Sequence, residues 1–336
     1  MQFTATLRRF AGRAAFTAAI LATGLAAGAD QTPAKVEVDP KLPAYAKSAE
    51  TIEGNLNSVG SDTMNNLMTY WAEGFAGVYG AQKVRVQVEG KGSSTAPTAL
   101  SEGTAQFGPM SRDMKAEEID AFEKKYGYKP TRLRTSLDAL AVFVHRDNPI
   151  QSLSLAQVDS VFSSTRKRGG KEIATWGELG LTGEWADKPI NLFGRNAASG
   201  TYGYFKEHAL KKGDFKNTVK ESAGSASVVQ GISEDKFAIG YSGMGFATSG
   251  VRMVPLAEKD GGTAYEASFD NVKESTYPLS RYLNLYVNKA PGQPLPPLVR
   301  EFCRFIFSKE GQEIVVKDNF LPIDAATAAK ERKLFE

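Results

Sequence analysis

Segments with the two-residue period of a β-strand alternate with segments of helical period along this chain from about residue 51 onward. Apolar side chains recur at helical spacing across residues 64–78, and Val84, Val86 and Val88 then alternate with polar residues. Such alternation predicts an α/β protein, in which helices pack on the faces of a sheet. The other predicted strands are 51–58, 140–144, 190–193, 238–241 and 282–287, and the other predicted helices are 97–100, 202–209 and 298–306.

The first 29 residues have the features of a cleavable export signal. Three arginines within the first 13 residues form a basic start, residues 14–25 are apolar, and residues 27–29 are small, as a signal peptidase requires. We expect cleavage before Asp30. The alternative is a retained membrane anchor, which the short apolar run disfavours. Residues 30–50 show no periodicity, so we expect them to form a flexible lead-in to the folded part.

Charge and composition disfavour several classes of function. The chain of 336 residues has 41 basic and 38 acidic residues, and residues 1–29 contain three of the arginines and no acidic residue. The exported part therefore holds 38 of each, which does not favour binding to nucleic acid. Cys303 is the single cysteine, so an intrachain disulfide is excluded, and we expect a buried, inert thiol. His145 and His208 lie far apart in the sequence, and no metal-ligand spacing is present.

One local pattern occurs three times: a strand ends, glycine and hydroxyl residues follow, and a helix begins. The three segments are Gly60–Thr63, Gly90–Thr95 and Gly194–Thr201. Helix N-termini present unpaired N–H groups and partial positive charge, and such ends bind phosphate and other anions. Each hydroxyl taken alone could be an ordinary helix cap. Three such loops, one with an arginine, favour an anion-binding site.

Ser111 and Arg112 form a fourth candidate loop, ahead of a helix that begins with Glu117 and Glu118. The Ser111 hydroxyl can donate a hydrogen bond to an anion, and the positive charge of Arg112 can attract one. In the alternative interpretation Ser111 only caps the helix, and Arg112 pairs with a nearby acid. The sequence leaves both interpretations open.

From about residue 51 to 325 the chain resembles the PstS family of phosphate ABC transporter substrate-binding proteins, which are type II periplasmic binding proteins. Residues 195–201, Arg-Asn-Ala-Ala-Ser-Gly-Thr, are similar to the family's Arg-x-x-x-Ser-Gly-Thr phosphate loop. Residues 92–94 resemble its Gly-Ser-Ser loop, and residues 238–241 and 320–323 resemble later landmarks. Each string is short, but their order and spacing together are specific.

The resemblance implies a fold and a function. The fold is α/β with two lobes, a mixed sheet in each lobe and two crossing strands, for which 140–144 and 282–287 are the candidates. Lobe I would comprise 51–142 plus 283–336, and lobe II 143–282. The implied function is high-affinity capture of inorganic phosphate in the periplasm by a monomer, without catalysis or metal, and delivery to the membrane permease subunits of an ABC importer. Nucleic acid is not an expected partner.

The family's phosphate contacts carry over position by position. Arg195 would be the charged ligand, while Ser199, Gly200 and Thr201 would supply hydroxyl and backbone donors. Whether Ser61 or Thr63 matches the family's threonine stays open. The full set of candidate phosphate-binding residues is Ser61, Asp62, Thr63, Ser93, Ser94, Ser111, Arg112, Arg195, Ser199, Gly200 and Thr201.

The chain departs from the family pattern at Arg112, where several members have an aspartate that accepts the proton of hydrogen phosphate. Arginine has no acceptor, so another residue must take that role if phosphate is to be distinguished from sulfate. Asp62 is the first candidate and Asp113 the second. Asp62 could instead be a plain carboxylate at a helix N-terminus.

Three other functions remain alternatives. A secreted phosphatase would need an activated nucleophile or metal ions, and the sequence has no Gly-x-Ser-x-Gly elbow and no clustered histidines. A phosphate-binding adhesion or signalling protein on the same fold is the second, since a fold does not fix function. A broader oxyanion receptor, for sulfate or molybdate, is the third.

Overall fold

The computed structural model of the protein describes residues 36–336. The predicted signal peptide, residues 1–29, and the first part of the predicted lead-in lie outside the described residues. Within residues 36–336, none of the helices combines the length and the apolar character that a membrane crossing requires.

The fold alternates strands and helices, as the sequence predicted. The strands are β1 Gly54–Val59, β2 Val84–Glu89, β3 Gly108–Met110, β4 Thr131–His145, β5 Leu153–Ser154, β6 Asn191–Arg195, β7 Lys220–Ser222, β8 Ala238–Gly243, β9 Val251–Met253, β10 Leu256–Ala257, β11 Ala264–Tyr265 and β12 Ser280–Val287. The helices are α1 Asn65–Tyr79, α2 Ala96–Glu102, α3 Ala116–Tyr126, α4 Leu155–Phe162, α5 Gly200–His208, α6 Ser225–Ser233, α7 Phe269–Lys273, α8 Pro297–Ile306, α9 Lys309–Lys317 and α10 Ala325–Arg332. Short 3₁₀ turns at Asp62–Met64 and Ser93–Thr95 precede α1 and α2.

The long strand β4 joins two groups of strands into one mixed sheet. Its first part, residues 131–139, pairs antiparallel with β12, which also pairs with β3. Its second part, residues 140–144, pairs antiparallel with β8, which pairs in parallel with β6. The strand order is β3-β12-β4-β8-β6-β7, and β1 and β2 form a separate parallel pair. The predicted α/β class with mixed parallel and antiparallel sheets is therefore confirmed.

The sequence predicted only the second half of β4. Residues 139–144 are uniformly apolar and fully buried, as expected for a strand covered on both faces. The first half lacks the apolar run that predicts a buried strand, because it contains the polar residues Arg132, Arg134, Thr135 and Ser136. The predicted strand 282–287 likewise begins earlier, at Ser280.

Buried side chains form two large hydrophobic clusters and a small one. The first draws mainly on residues 139–279, and the second on residues 42–107 together with 283–335. A small third cluster lies between α2, α3 and β12. The division into two lobes at the boundaries given above stays a prediction.

The part of the predicted lead-in that the structure describes packs on the second cluster. Leu42 is buried, and the Tyr45 ring lies 5.3 Å from the Phe305 ring, edge to face. The Asp39 carboxylate accepts a 3.0 Å hydrogen bond from the first backbone N–H of α10. The described part of the lead-in is therefore packed on the folded part of the chain, and its expected flexibility in solution stays a prediction.

Cys303 lies on α8 with no exposed surface, and burial raises the pKa of its thiol. Because only the thiolate reacts, we expect the folded protein to resist a thiol-reactive chromogen at pH 8. In denaturant the same reagent should label one thiol per chain. Rapid stoichiometric labelling of the folded protein would show that α8 is not packed as described.

Candidate anion-binding site

Three serine hydroxyls meet where three strands end. Ser61 follows β1, Ser93 follows β2 and Ser111 follows β3, and all three are buried. The Ser61 hydroxyl donates to Ser111 Oγ at 3.0 Å, and the Ser93 and Ser111 hydroxyls are 3.3 Å apart. The backbone N–H of Ser111 donates to Ser93 Oγ at 3.1 Å. β1 and β2 are parallel, and Ser58 bridges in parallel to Phe107 just before β3, so the strand ends share one edge.

The start of α5 completes this hydroxyl cluster from another part of the chain. Ser199 caps α5 by accepting N–H bonds from Thr201 at 3.1 Å and Tyr202 at 3.4 Å. Since its Oγ accepts these bonds, its own proton remains available to donate. The Thr201 hydroxyl lies 2.9 Å from that of Thr63. Both threonines are buried.

Gly200 allows the two parts to approach this closely. A Cβ atom at this position would lie 2.2 Å from Ser93 Oγ and 2.6 Å from Ser111 Oγ. Any side chain here would push the serine hydroxyls away from the N-terminus of α5. The Gly of the Arg-x-x-x-Ser-Gly-Thr string is therefore required by space rather than by an unusual backbone angle.

Arg195, at the end of β6, is almost fully buried. Its Nη1 donates to Ser225 Oγ at 2.5 Å, and Nη2 donates to the carbonyl oxygen of Ala223 at 2.7 Å. Nη2 also lies 3.3 Å from Asp62 Oδ1. Its Nε has no hydrogen-bond partner among the residues that the structure describes. Burial lowers the pKa of Arg195, and the nearby Asp62 carboxylate opposes that shift.

Asp62 connects the first hydroxyl loop to α6. Its Oδ1 accepts the backbone N–H of Ser225, the first residue of α6, at 2.9 Å, and the same oxygen faces Arg195. Asp62 thus caps the N-terminus of α6 through Ser225, which lies 163 residues further along the chain. It is also the first residue of its own 3₁₀ turn. It lies beside Ser61 and Thr63, within the region that the sequence selected.

The structure does not bring two of the candidates into the hydroxyl cluster. Arg112 Nη1 and Nη2 each donate to Glu118 at 2.7 Å, in a bidentate pair. Arg112 therefore pairs with a nearby acid, as the alternative interpretation expected, whereas Ser111 does not cap the helix, because the N-cap of α3 is Lys115. The Ser94 hydroxyl donates to the carbonyl of Ala198 at 3.1 Å, and Ser94 is exposed. Direct contact of Ser94 and Arg112 with an anion stays a prediction.

Asp113, the second candidate for the proton acceptor, also faces elsewhere. Its Oδ2 lies 2.9 Å from Arg132 Nη1, and its Oδ1 accepts from the Asn284 amide at 3.2 Å. The Asp113 carboxylate is therefore engaged by Arg132, whereas its neighbour Arg112 donates to the Asp113 backbone carbonyl at 2.9 Å.

Sequence reasoning missed a second guanidinium, that of Arg281. Arg281 lies directly opposite Asp138 in the β12–β4 register, and both residues are buried. Its Nε and Nη2 donate to Asp138 Oδ2 at 2.9 and 2.7 Å, and Nη1 donates to the Ser111 carbonyl at 2.8 Å. Burial raises the pKa of Asp138, and Arg281 opposes the rise. The sequence signal that could have found this pair is Asp138, which directly precedes the apolar run 139–144. A carboxylate buried beside such a run is nearly always paired with a positive charge.

A cavity of about 990 Å³ adjoins the cluster on the side of α5 and is bordered by Ser199 and Arg281. Its walls are rich in basic side chains. These include Arg112, Arg132, Arg134, Lys206 and Lys212.

Buried hydroxyls, helix N-termini and two buried guanidinium groups converge in this region. Hydroxyl, N–H and guanidinium groups all donate hydrogen bonds, and the ionised oxygens of an oxyanion accept them. Among residues 36–336, no group of three or more histidine, cysteine, aspartate or glutamate side chains is arranged to hold a metal ion. This set of donors on an α/β fold has the chemistry that a protein needs to bind an oxyanion.

Comparison with known proteins gives the family. The chain matches the PBP superfamily domain over residues 45–310. It is 54% identical to the phosphate-binding protein PstS of Pseudomonas aeruginosa over 312 residues, which cover 93% of this chain and 96% of that protein. A solved Clostridium perfringens protein with bound phosphate superposes with a TM-score of 0.68 at 26% identity, covering 81% of this chain and all of that one. An ABC-type phosphate transport receptor from Vibrio cholerae, at 21% identity and a TM-score of 0.61, covers 80% of this chain and all of that one and shares the fold.

The chain therefore belongs to the PstS family of phosphate-binding proteins within the periplasmic-binding-protein superfamily.

Gly200→Ala tests whether the cluster binds the anion. The added methyl group must displace the Ser93 and Ser111 hydroxyls. Overpacking of this kind costs roughly 1–3 kcal/mol, and if that strain opposes the bound state we expect phosphate affinity to fall by about 5- to 150-fold. Isothermal titration calorimetry measures the change.

The matched control is Gly77→Ala on the exposed face of α1, where a Cβ meets nothing within 4 Å. It should leave phosphate affinity unchanged and raise stability by about 0.5–1 kcal/mol. Equal phosphate affinity in the Gly200→Ala variant and the wild type would place the anion elsewhere.

Proposed function

We propose that this protein captures inorganic phosphate in the periplasm and delivers it to the membrane permease subunits of an ABC importer. Membership of the PstS family supports this proposal, as does the phosphate bound in the Clostridium perfringens relative of the same fold. The protein would reach the periplasm by way of its N-terminal signal and act there as a monomer. It would bind and release phosphate without making or breaking a covalent bond.

The observation that carries the proposal is the set of buried donors from separate loops. Ser61, Ser93 and Ser111 come from three strand ends, and Thr63 faces Thr201. These hydroxyls now bond to one another, and each can turn its proton to a phosphate oxygen instead. A neutral hydrogen bond contributes about 0.5–1.5 kcal/mol and a bond to a charged group about 1.5–3 kcal/mol. Several donors of this kind, acting together, hold a small dianion firmly.

Arg195 is the proposed charged ligand. Its guanidinium is buried next to the Asp62 loop, and its Nε is a buried donor without a partner among the described residues. The Arg195–Asp62 pair compensates charge in the interior, so that the positive group can be kept buried. We infer that phosphate shares Arg195 with Asp62.

Asp62 is the proposed acceptor of the phosphate proton. Near neutral pH phosphate carries a proton and sulfate does not. A carboxylate can accept about four hydrogen bonds, and Oδ1 of Asp62 already receives Ser225 N–H and faces Arg195. Its remaining lone pairs can accept a hydrogen bond from a protonated oxygen of the anion, whereas its negative charge repels a fully ionised oxygen. Discrimination between two ligands is large when one of them leaves a polar group of the site unmatched.

The proposed capture involves closure of two lobes over the anion. Contacts between the predicted lobes include Thr63 with Thr201 at 2.9 Å, Asp62 with Ser225 at 2.9 Å, and the backbone N–H of Ser94 with the Ala198 carbonyl at 3.2 Å. Opening would separate these pairs and expose the site. Closure over phosphate would replace bulk water with fixed donors, which strengthens each electrostatic contact.

Calorimetry of the wild type and two variants tests the function. We expect one phosphate per chain, with the same affinity after chelation of divalent metals. Arg195→Ala should weaken binding by about 2–5 kcal/mol, the usual cost of truncating one partner in a desolvated charged contact. Ser93→Ala should lose about 0.5–1.5 kcal/mol, the contribution of one neutral hydrogen bond.

Circular dichroism would check that both variants fold. A larger loss for Ser93→Ala than for Arg195→Ala would mean that Arg195 is not the charged ligand. Absence of phosphate binding by the folded wild type would overturn the proposed function itself.

Asp62→Asn tests the selectivity mechanism. The amide keeps one acceptor oxygen but loses the negative charge that repels sulfate, so the ratio of phosphate to sulfate affinity should fall. Competition binding with both anions measures this ratio. A weaker Arg195 contact lowers the affinity for both anions alike, so it leaves the ratio unchanged.

The matched control is Asp113→Asn, since Asp113 faces Arg132 and Asn284 and should leave the ratio nearly unchanged. An unaltered ratio in Asp62→Asn would assign the proton acceptor to another group. Equal binding of both anions by the wild type would make the protein a general oxyanion receptor.

A further inference from the structure

The guanidinium of Arg281 touches both halves of the hydroxyl cluster at once. Nη1 donates to the Ser111 carbonyl at 2.8 Å, and Nη2 donates to Thr201 Oγ1 at 3.1 Å. Ser111 belongs to the loop after β3, and Thr201 lies at the start of α5. One side chain on β12 therefore ties a strand-end loop to the helix N-terminus that faces it.

The contact with Thr201 sets the direction of a hydrogen bond. A hydroxyl can donate or accept, whereas a guanidinium can only donate. Because Thr201 Oγ1 accepts from Arg281, the proton of Thr201 must point to a different acceptor. Thr63 Oγ1, at 2.9 Å, can take that proton, and a bound oxyanion is a stronger acceptor in the same region. Arg281 thus makes Thr201 a donor towards the site.

The same guanidinium also holds the Ser111 loop. The carbonyl of Ser111 accepts from Arg281, while its N–H donates to Ser93 Oγ. Ser93 then has its own proton free, by the same reasoning as Thr201. Arg281 therefore fixes Ser111 directly and Ser93 through the Ser111 backbone.

Arg281 itself is held on two sides. Asp138, its cross-strand partner, accepts two of its N–H bonds and is in turn fixed by the backbone N–H of Met244 at 3.2 Å. The Tyr204 ring of α5 lies 5.4 Å from the guanidinium carbon, and the Tyr204 hydroxyl donates to the Ser280 carbonyl at 2.7 Å. With its charge compensated by Asp138, Arg281 influences the anion mainly through the groups it orients.

We propose that Arg281, clamped by Asp138, is a positioning residue that turns the Thr201 hydroxyl into a hydrogen-bond donor for the bound anion. This inference rests on the proposed function, because it concerns the same site. It adds a role for a residue that does not belong to any of the hydroxyl loops.

A double-mutant cycle in calorimetry with inorganic phosphate tests the proposal. Arg281→Lys keeps the positive charge beside Asp138 but loses the planar fork that reaches Asp138, Ser111 and Thr201 together. Thr201→Val removes the oriented hydroxyl. We expect each single variant to weaken phosphate binding by about fivefold, and the double variant to be weaker by much less than the product of the two. Independent, multiplying effects would overturn the proposal.

Arg252→Lys is the matched control, since Arg252 lies on β9, away from the hydroxyl cluster, and donates to the backbone carbonyls of Asn148 and Ile150. Its phosphate affinity should equal that of the wild type. Thermal unfolding shows which variants fold. If Arg281→Lys does not fold, Asp138→Asn replaces it in the cycle. The amide oxygen of Asn can still accept a hydrogen bond from Arg281, but without the negative charge it holds the guanidinium less firmly. Its effect should likewise shrink in the Thr201→Val background, and an undiminished effect would overturn the proposal.

Sulfate titrations of the same proteins distinguish a failure of the proposed phosphate function from a failure of the positioning role of Arg281. If the wild type binds sulfate but no phosphate, the proposed function is wrong, and the cycle measured with sulfate still decides the role of Arg281. If the wild type binds phosphate and the cycle shows no coupling, only the positioning role is wrong. A wild type that binds neither anion would overturn both.

Discussion

Burial of positive charge among hydroxyl groups is the constraint on which the rest of this structure depends. A guanidinium in the interior is costly unless it is paired and hydrogen-bonded. Both buried arginines of the site meet that condition, Arg195 beside Asp62 and Arg281 against Asp138. The paired charges keep the interior nearly neutral, while hydroxyls and N–H groups supply the donors. Such a site is ready for a small oxyanion without holding a large uncompensated charge beforehand.

The fold supplies these donors because strand ends meet at one edge. The loops after β1, β2 and β3 bring their serines together, and β6 leads directly into the Ser199 cap of α5. β12 pairs with both β3 and β4, and the β12–β4 register places Arg281 opposite Asp138. The position of the site is thus set by sheet topology, while its chemistry is set by a few small residues at strand ends. Gly200 permits the contact between the two parts.

Much of the fold and part of the site could be predicted because their signals are local. Strand–helix alternation and the Arg-x-x-x-Ser-Gly-Thr string are each contained in a few consecutive residues. The Arg281–Asp138 pair was missed because its members are 143 residues apart and meet only through strand register. The environment of Arg112 was undecided for a similar reason, since its pairing with Glu118 depends on how α3 leaves the loop. Polar residues concealed the first half of β4.

A crystal structure grown with phosphate tests the central claim most directly. The account predicts phosphate oxygens at about 2.6–3.0 Å from the hydroxyls of Ser93, Ser111 and Thr201, the usual range for such bonds to an anion. It also predicts that the anion contacts Arg195 and that a phosphate oxygen faces Asp62. A phosphate bound instead in the neighbouring cavity against Arg132 and Arg134, with the buried hydroxyls still bonded to one another, would contradict it.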